Sequence, residues 1–193
     1  MNIGIDIDQT LTNLDEFIIA YGQFFDYQNN LNKLTDIYGD STRSKFNWGE
    51  QIDTEFWHKY VFEINNQIQP RPLAKQVIDM LIKDGHKIYF VSSRAPNYWI
   101  NPYKVTYKWL KKYKIKFEKL IVNQKNKLAV CKQYNIEMFL DDREQHVESL
   151  FKNGIKCFLF DNFYNKNFNN PDIPRVYSFP DFYIKVKKLN NIS

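Results

Sequence analysis

At 193 residues the chain has room for one domain with a genuine core, or for a core domain carrying a modest insertion. Its hydrophobic content of 44% and aromatic content of 17% exclude a disordered chain. No stretch reaches the ~20 apolar residues of a membrane span and the N-terminus has neither the basic nor the apolar region of a signal peptide, so a cytoplasmic protein without membrane contact is expected.

The first element is an apolar run, Ile3-Gly4-Ile5, that ends on two carboxylates one residue apart, Asp6 and Asp8. A short apolar run bounded by polar residues reads as a buried strand of a parallel sheet, and open parallel sheets bind ligands just past the carboxyl ends of their strands. A helix cap would account for Asp8 or Thr10 alone, but not for both acids. Leu14, Phe17, Ile18 and Tyr21 then repeat at helical spacing, and a polar, Asn-rich region from about Gln23 to Asn47 reads as short helix and loop. Phe56, Trp57, Tyr60, Val61 and Ile64 line one face of a further helix, which Pro70-Arg71-Pro72 ends.

From Leu73 onward helix and strand alternate. Leu73, Val77, Met80 and Leu81 precede a Gly85 stop and the strand Lys87 to Val91. Asn101-Pro102 opens a helix carrying Val105, Trp109 and Leu110, followed by the strand Leu120 to Val122. Leu128, Cys131 and Tyr134 lead to the strand Met138 to Leu140, and Val147, Leu150 and Phe151 to the strand Cys157 to Phe160. A short strand at Arg175-Val176 and a helix with Phe182, Tyr183, Val186 and Leu189 end the series. Such alternation specifies an α/β fold, a Rossmann-like parallel sheet of five main strands. The expected organisation is a core of residues 1–13 and 73–193, with a small helical cap, residues 14–72, inserted after the first strand.

Cys131 and Cys157 fit neither a zinc site nor a disulfide framework and read as buried small hydrophobes. Lysines gather between Lys104 and Lys132 in a chain of net charge +5. That run suits phosphate-bearing partners in general and is equally the mark of a solvated helix face.

Several strand ends carry polar groups: Asp6 and Asp8 after the first, Ser92-Ser93-Arg94 after Val91, and Asp141-Asp142-Arg143 after Leu140, with Lys127 opening the helix before that last strand. If these strands are neighbours, the groups share one crevice. Carboxylates crowded together repel unless a cation sits among them, and hard oxygen ligands favour Mg²⁺, which keeps waters and a substrate phosphate in its shell. Asp6 is then the candidate nucleophile, Asp8 the candidate general acid and base, and Ser92 and Lys127 the candidate ligands of phosphoryl oxygens. Ser93 and Lys125 are the neighbouring alternatives. Arg143 is placed to reach phosphate or sugar, and Arg94 either does the same or braces the loop.

These residues resemble the haloacid dehalogenase superfamily of phosphatases, through a DxDxT box (Asp6 to Thr10), a Ser after the second strand (Ser92), a Lys (Lys127) and a late acid pair (Asp141, Asp142). The runs FVSSR, KLIV and FLDDR further resemble the deoxyribonucleotidase-type branch and related bacterial nucleotidase-like proteins. The resemblance spans residue 3 to about residue 160. It implies a first strand lying between the second and fourth, a helical cap, and a Mg²⁺ held by Asp6, the backbone carbonyl of Asp8, and Asp142, with Asp141 in support. Gln9 departs from the branch, which more often has Gly there. The substrate implied is a small phosphomonoester, foremost a nucleoside monophosphate, for a monomer or homodimer. A 3′-phosphatase on nucleic-acid ends and a non-catalytic nucleotide-binding protein are the alternatives. In the cap, Phe46, Trp48, Phe56 and Trp57 offer rings for stacking on a base; Trp48 is the preferred candidate and Trp57 the one expected to pack cap onto core.

Overall fold

A computed structural model describes residues 1–190 of the chain; the last three residues of the expected core segment lie outside the described residues. Among the described residues β1 (Asn2–Ile5), β2 (Lys87–Val91), β3 (Lys119–Ile121), β4 (Met138–Asp141), β5 (Lys156–Phe160) and β6 (Arg175–Val176) form one parallel sheet, ordered β3-β2-β1-β4-β5-β6. The edge strand β6 extends the five main strands expected, pairing Leu159 with Arg175 and Phe160 with Val176. β1 is central, with Ile5 level with Phe90 on one side and Leu140 on the other.

The helices of the core are α4 (Ala74–Lys83), α5 (Pro102–Lys112), α6 (Lys127–Gln133), α7 (Glu144–Phe151) and α8 (Phe179–Asn190), with α1 (Leu14–Gln28), α2 (Thr42–Phe46) and α3 (Glu50–Gln67) between β1 and α4. Side chains alternate across the sheet. Ile3, Ile5, Ile88, Phe90, Met138 and Leu140 pack with residues of α4, α5 and α8, while Tyr89, Val91, Phe139 and Leu159 pack with Val130, Val147 and Leu150 of α6 and α7. Gly4 faces the second layer, and a Cβ there would lie 2.4 Å from the Phe139 ring. The middle strand therefore accepts a phenyl ring from its neighbour only because this position has no side chain.

Local signals fix the helix ends. The Asn101 side chain accepts from the Lys104 N–H at 3.0 Å, with Pro102 in the first turn. Gly85 at φ 85° stops α4 by the left-handed residue that ends many helices. Leu73 and Met80 depart from the expected core face: Leu73 lies ahead of α4 in a left-handed conformation and is 52% exposed, and Met80 is 43% exposed. The region from Gln23 to Asn47, expected to be short helix and loop, holds the end of α1, a loop and the short helix α2. Cys131 and Cys157 are buried and unpaired.

The α1–α3 insertion, here called the cap, leaves and rejoins the core at one place. Thr12 and Pro70 form an antiparallel bridge, and the Arg71 N–H donates to the Leu11 carbonyl at 2.8 Å. Within the cap, α2 approaches α1 so closely that a Cβ on Gly22 would lie 2.3 Å from the Phe46 ring.

Candidate active site

The register of the sheet brings the strand-end acids together. Asp6 follows Ile5 and donates its N–H to the Leu140 carbonyl at 2.9 Å, which sets it beside Asp141 and Asp142 on the next strand. One carboxylate oxygen from each of Asp6, Asp141 and Asp142 lies within 4.8 Å of the others, and all three residues are buried. Lys127, at the start of α6 and 3% exposed, donates to Asp6 Oδ1 at 2.5 Å and to Asp141 Oδ2 at 2.6 Å. Thr10 Oγ1 donates to Asp142 Oδ1 at 2.8 Å, and the Tyr164 hydroxyl donates to Asp142 Oδ2.

Asp8 lies apart from this cluster. Between Asp6 and α1 the chain makes a single wide turn over Ile7–Leu11, closed by the Thr12 N–H on the Ile7 carbonyl at 3.0 Å. The turn carries the Asp8 side chain to the opposite wall, where Arg94 Nε and Nη2 grip its two oxygens at 2.8 and 2.6 Å. Arg94 is itself fixed: Nη1 donates to Thr106 Oγ1 at 2.9 Å, and its guanidinium lies 4.0 Å from the Trp99 ring centre. Gln9 adopts φ 66°, the left-handed region that glycine occupies without cost. Its amide holds that geometry by donating to Asp15 Oδ1 at 3.1 Å and accepting the Asp15 N–H at 3.0 Å.

Above the acids lies a cavity of about 520 Å³ between sheet edge and cap, lined among others by Asp6, Asp8, Lys127, Asp142, Arg143 and Trp57. It does not receive every expected residue. Ser92 is buried beneath the loop, its Oγ accepting from the Arg94 N–H at 3.2 Å; the exposed Ser93 lines the cavity instead. Phe46 and Trp48 are withdrawn from it, a correction to their candidacy as base-stacking rings. They stack on each other at 4.4 Å inside the cap, and the Trp48 indole N–H donates to Asp26 Oδ1 at 2.9 Å. Trp57, Tyr98 and Trp99 give the cavity wall its rings, and Trp57 of the cap lies 6.4 Å from Trp99 of the loop after β2. Arg143 reaches across to the cap, pairing with the Asp40 carboxylate and donating to the Asp40 carbonyl at 2.7 Å. Lys125 also faces the cavity.

Arg94, expected either to reach the substrate or to brace the loop, instead clamps a partner 86 residues away in sequence. Tyr164 lies in the loop-rich tail. His146 has Nδ1 3.1 Å from Asp141 Oδ2 and lines the cavity.

The charge balance favours a cation among the acids. Burial, and then the crowding of Asp141, Asp142 and Asp8, push the Asp6 carboxyl well above the usual carboxylate range despite Lys127. Burial and Asp141 push Asp142 up to about 6. Burial would likewise raise Asp141, but Lys127 and His146 hold it below the usual range, and the two carboxylates hold Lys127 above its ordinary value against burial. Lys127 is shared by Asp6 and Asp141, and Asp142 has the Arg143 guanidinium 3.9 Å away; a hard dication with oxygen ligands fits the charge that remains on three buried acids. Asp6 and Asp142 are the residues left least compensated.

No family model matches the chain. A curated protein named as a nucleotidase from Clostridium acetobutylicum is 28% identical over 190 residues, covering 98% of this chain and 95% of its own length. Among solved structures, a Clostridium acetobutylicum protein described as a predicted phosphatase superposes with a TM-score of 0.71 at 16% identity, over 97% of this chain and 98% of its own. A haloacid dehalogenase-like hydrolase from Streptococcus pneumoniae gives 0.69 at 11% identity, over 98% and 97%. With β1 between β2 and β4 and the acids at its carboxyl edge, the chain has the fold of the haloacid dehalogenase-like hydrolases and resembles, along nearly its whole length, a bacterial nucleotidase.

Proposed function

We propose that this protein is a Mg²⁺-dependent phosphomonoester hydrolase acting on nucleoside monophosphates through an aspartyl-phosphate on Asp6. The observation that carries the reading is the convergence of Asp6, Asp141 and Asp142 within 4.8 Å on the floor of a cavity of about 520 Å³, a size suited to a small ligand. The nucleotidase-named relative supports the substrate class, and no helix among the described residues is long and apolar enough to cross a membrane, in keeping with a cytoplasmic small-molecule enzyme.

Asp6, the Asp8 backbone carbonyl and Asp142 would hold the ion, with Asp141 in support through Lys127. Bound there, it supplies charge that keeps the acids ionised and neutralises phosphoryl oxygens. Asp6 Oδ attacks phosphorus, the bond from phosphorus to the ester oxygen breaks, and Asp8 delivers a proton to the leaving alkoxide. Asp8 then takes a proton from water as the water oxygen attacks phosphorus, and the bond from phosphorus to Asp6 breaks, releasing inorganic phosphate. Lys127 orients Asp6 and offers positive charge to the phosphoryl oxygens, aided by the Ser93 hydroxyl. Asp8 needs its grip from Arg94 to loosen as it receives the proton, because both its oxygens are engaged.

Phosphate release from a panel of nucleoside monophosphates and sugar phosphates, with Mg²⁺ and with excess chelator, tests the proposal. Turnover of nucleoside monophosphates that chelator abolishes is expected. Full activity in chelator would overturn the metal assignment, and preference for sugar phosphates would overturn the substrate class.

A further inference from the structure

Among the described residues two lysines are buried, Lys127 at the acids and Lys45 in α2 of the cap. Lys45 is 0% exposed and does not line the catalytic cavity. An ammonium withdrawn from water is costly unless it is both paired and hydrogen-bonded, and Lys45 meets both conditions. Its Nζ donates to Asp15 Oδ2 at 3.2 Å and lies 3.1 Å from Asp15 Oδ1; it also donates to the Ile37 carbonyl at 2.8 Å and to the Gly39 carbonyl. Burial pushes the Asp15 carboxyl up, and Lys45 leads the cations that hold it down.

These contacts reach two places. On one side Asp15 engages both ends of the Gln9 amide: Gln9 Nε2 donates to Asp15 Oδ1 at 3.1 Å, and Gln9 Oε1 accepts the Asp15 N–H at 3.0 Å, a first-turn donor of α1 that has no acceptor within its own helix. Gln9 follows Asp8 directly, at φ 66°. Arg71 Nη2 and Asn162 Nδ2 hold this turn at its backbone, donating to the Gln9 carbonyl at 2.8 and 3.0 Å; the cap holds it at the Gln9 side chain. On the other side Ile37 and Gly39 belong to the loop before α2, which carries Asp40 to Arg143. One buried ammonium therefore ties the turn that bears Asp8 to the loop that bears Asp40.

We infer that Lys45 is a positioning residue for Asp8: through Asp15 and Gln9 it fixes the Ile7–Leu11 turn from the cap, so that the placement of the proton-transferring carboxylate depends on a residue of α2 that never meets the substrate. The inference rests on the proposed function, in which Asp8 moves the proton. It also gives Gln9 a purpose. A glycine at that position would take the left-handed backbone without steric cost and would offer Asp15 no side chain to hold, whereas glutamine makes the turn answerable to the cap.

A double-mutant cycle between Lys45 and Gln9 tests this, with two readouts. Lys45→Met is expected to lower kcat for an aryl phosphate by about ten-fold with KM nearly constant, and to speed amide hydrogen exchange in a peptide covering residues 7–12 by about ten-fold. Gln9→Gly cuts the path at its second link, so in that background Lys45→Met should alter kcat and turn exchange by no more than about two-fold, although stranding Asp15 lowers Tm in both backgrounds. Should Lys45→Met fail to fold, Asp15→Ala with Lys45→Met removes the buried pair together and enters the same cycle. Equal losses of kcat in the two backgrounds, or turn exchange that the Lys45 substitution leaves unchanged, would overturn the inference and make Lys45 a stabiliser of the cap alone. If the unmutated protein shows no turnover with Mg²⁺, the proposed function fails by itself, and the exchange measurement, which needs no activity, still decides whether Lys45 holds the turn.

Discussion

The floor and the roof of the catalytic cavity are built differently. On the floor, Asp6, Asp141 and Lys127 are placed by strand ends and a helix start, within a residue or two of regular backbone whose register is set by hydrogen bonds. On the roof, Trp57 lies on α3 and Asp40 in the loop before α2, and both meet the core through side chains, Trp57 against Trp99 and Asp40 in an ion pair with Arg143. A floor fixed by backbone holds reacting groups to the tolerance that catalysis needs. A roof fixed by side-chain packing can change its lining without disturbing the floor, and under the proposed function such a division would leave the chemistry to the core and the choice of substrate to the cap.

The most severe break lies in the floor. Asp6→Asn removes the proposed nucleophile while keeping its size, and turnover of any phosphomonoester is expected to fall by about 10³-fold or more, with the folded structure retained by circular dichroism. Residual activity near wild type would mean that another group attacks phosphorus.

The roof is sharpened by two tryptophans of opposite kind. Trp48→Ala deletes a ring buried against Phe46, Phe25 and Phe56 and frees the acceptor on Asp26, so a loss of about 3–5 kcal/mol in denaturant unfolding is expected, with KM in the surviving folded protein little changed. Trp57→Ala is expected to raise KM for a nucleoside monophosphate by about ten-fold or more, as loss of base stacking would, and to leave glycerol phosphate nearly unaffected. Equal effects on both substrates would make Trp57 a packing residue only.

This contrast also explains what could be read in advance. The parallel sheet, the order of its helices and the acids at its edge are local in sequence: apolar runs of strand length, Asn101-Pro102 and Gly85 as boundaries, charge where a strand stops. The cluster of Asp6, Asp141 and Asp142 followed once β1 lay between β2 and β4. Trp48, Ser92 and Arg94 depend instead on the direction a side chain takes after the backbone is set. Helical period told that Trp57 is buried but not that its other side meets the cavity, and nothing near Arg94 announced a partner 86 residues earlier. Gln9 shows the same limit, since its left-handed backbone is stabilised by Asp15, a residue that belongs to α1.

The acid cluster has a signature in stability. Asp142 is raised to about 6 in the folded protein and, like Asp6, is raised chiefly by burial, so the folded state binds more protons than the unfolded chain between roughly pH 4 and that value. Without metal, stability is therefore greatest below that window and falls as pH rises through it, by about 3 kcal/mol for Asp142 at most. Asp141, held low, acts in the opposite sense but only at lower pH. Thermal melts in chelator should show Tm falling from pH 4.5 to 7 by roughly the amount this free energy implies, and saturating Mg²⁺ should flatten or reverse the slope by binding the ionised acids. A slope unchanged by Mg²⁺ would separate these carboxylates from any metal.

The smallest expected effect tests how far side-chain placement matters even on the chemical side of the cavity. Arg94→Lys keeps the charge beside Asp8 and loses the two-point grip, the Thr106 contact and the stacking on Trp99, none of which an ammonium reproduces together. Asp8 would then be held by one contact in place of two, and kcat is expected to drop by about ten-fold, with KM for a small aryl phosphate nearly constant, if Arg94 acts by positioning Asp8, the proposed proton donor. An unchanged kcat, or a KM that rises in step with its fall, would instead make Arg94 a brace of the loop after β2, and the distinction between a chemical floor and a selective roof would then hold without it.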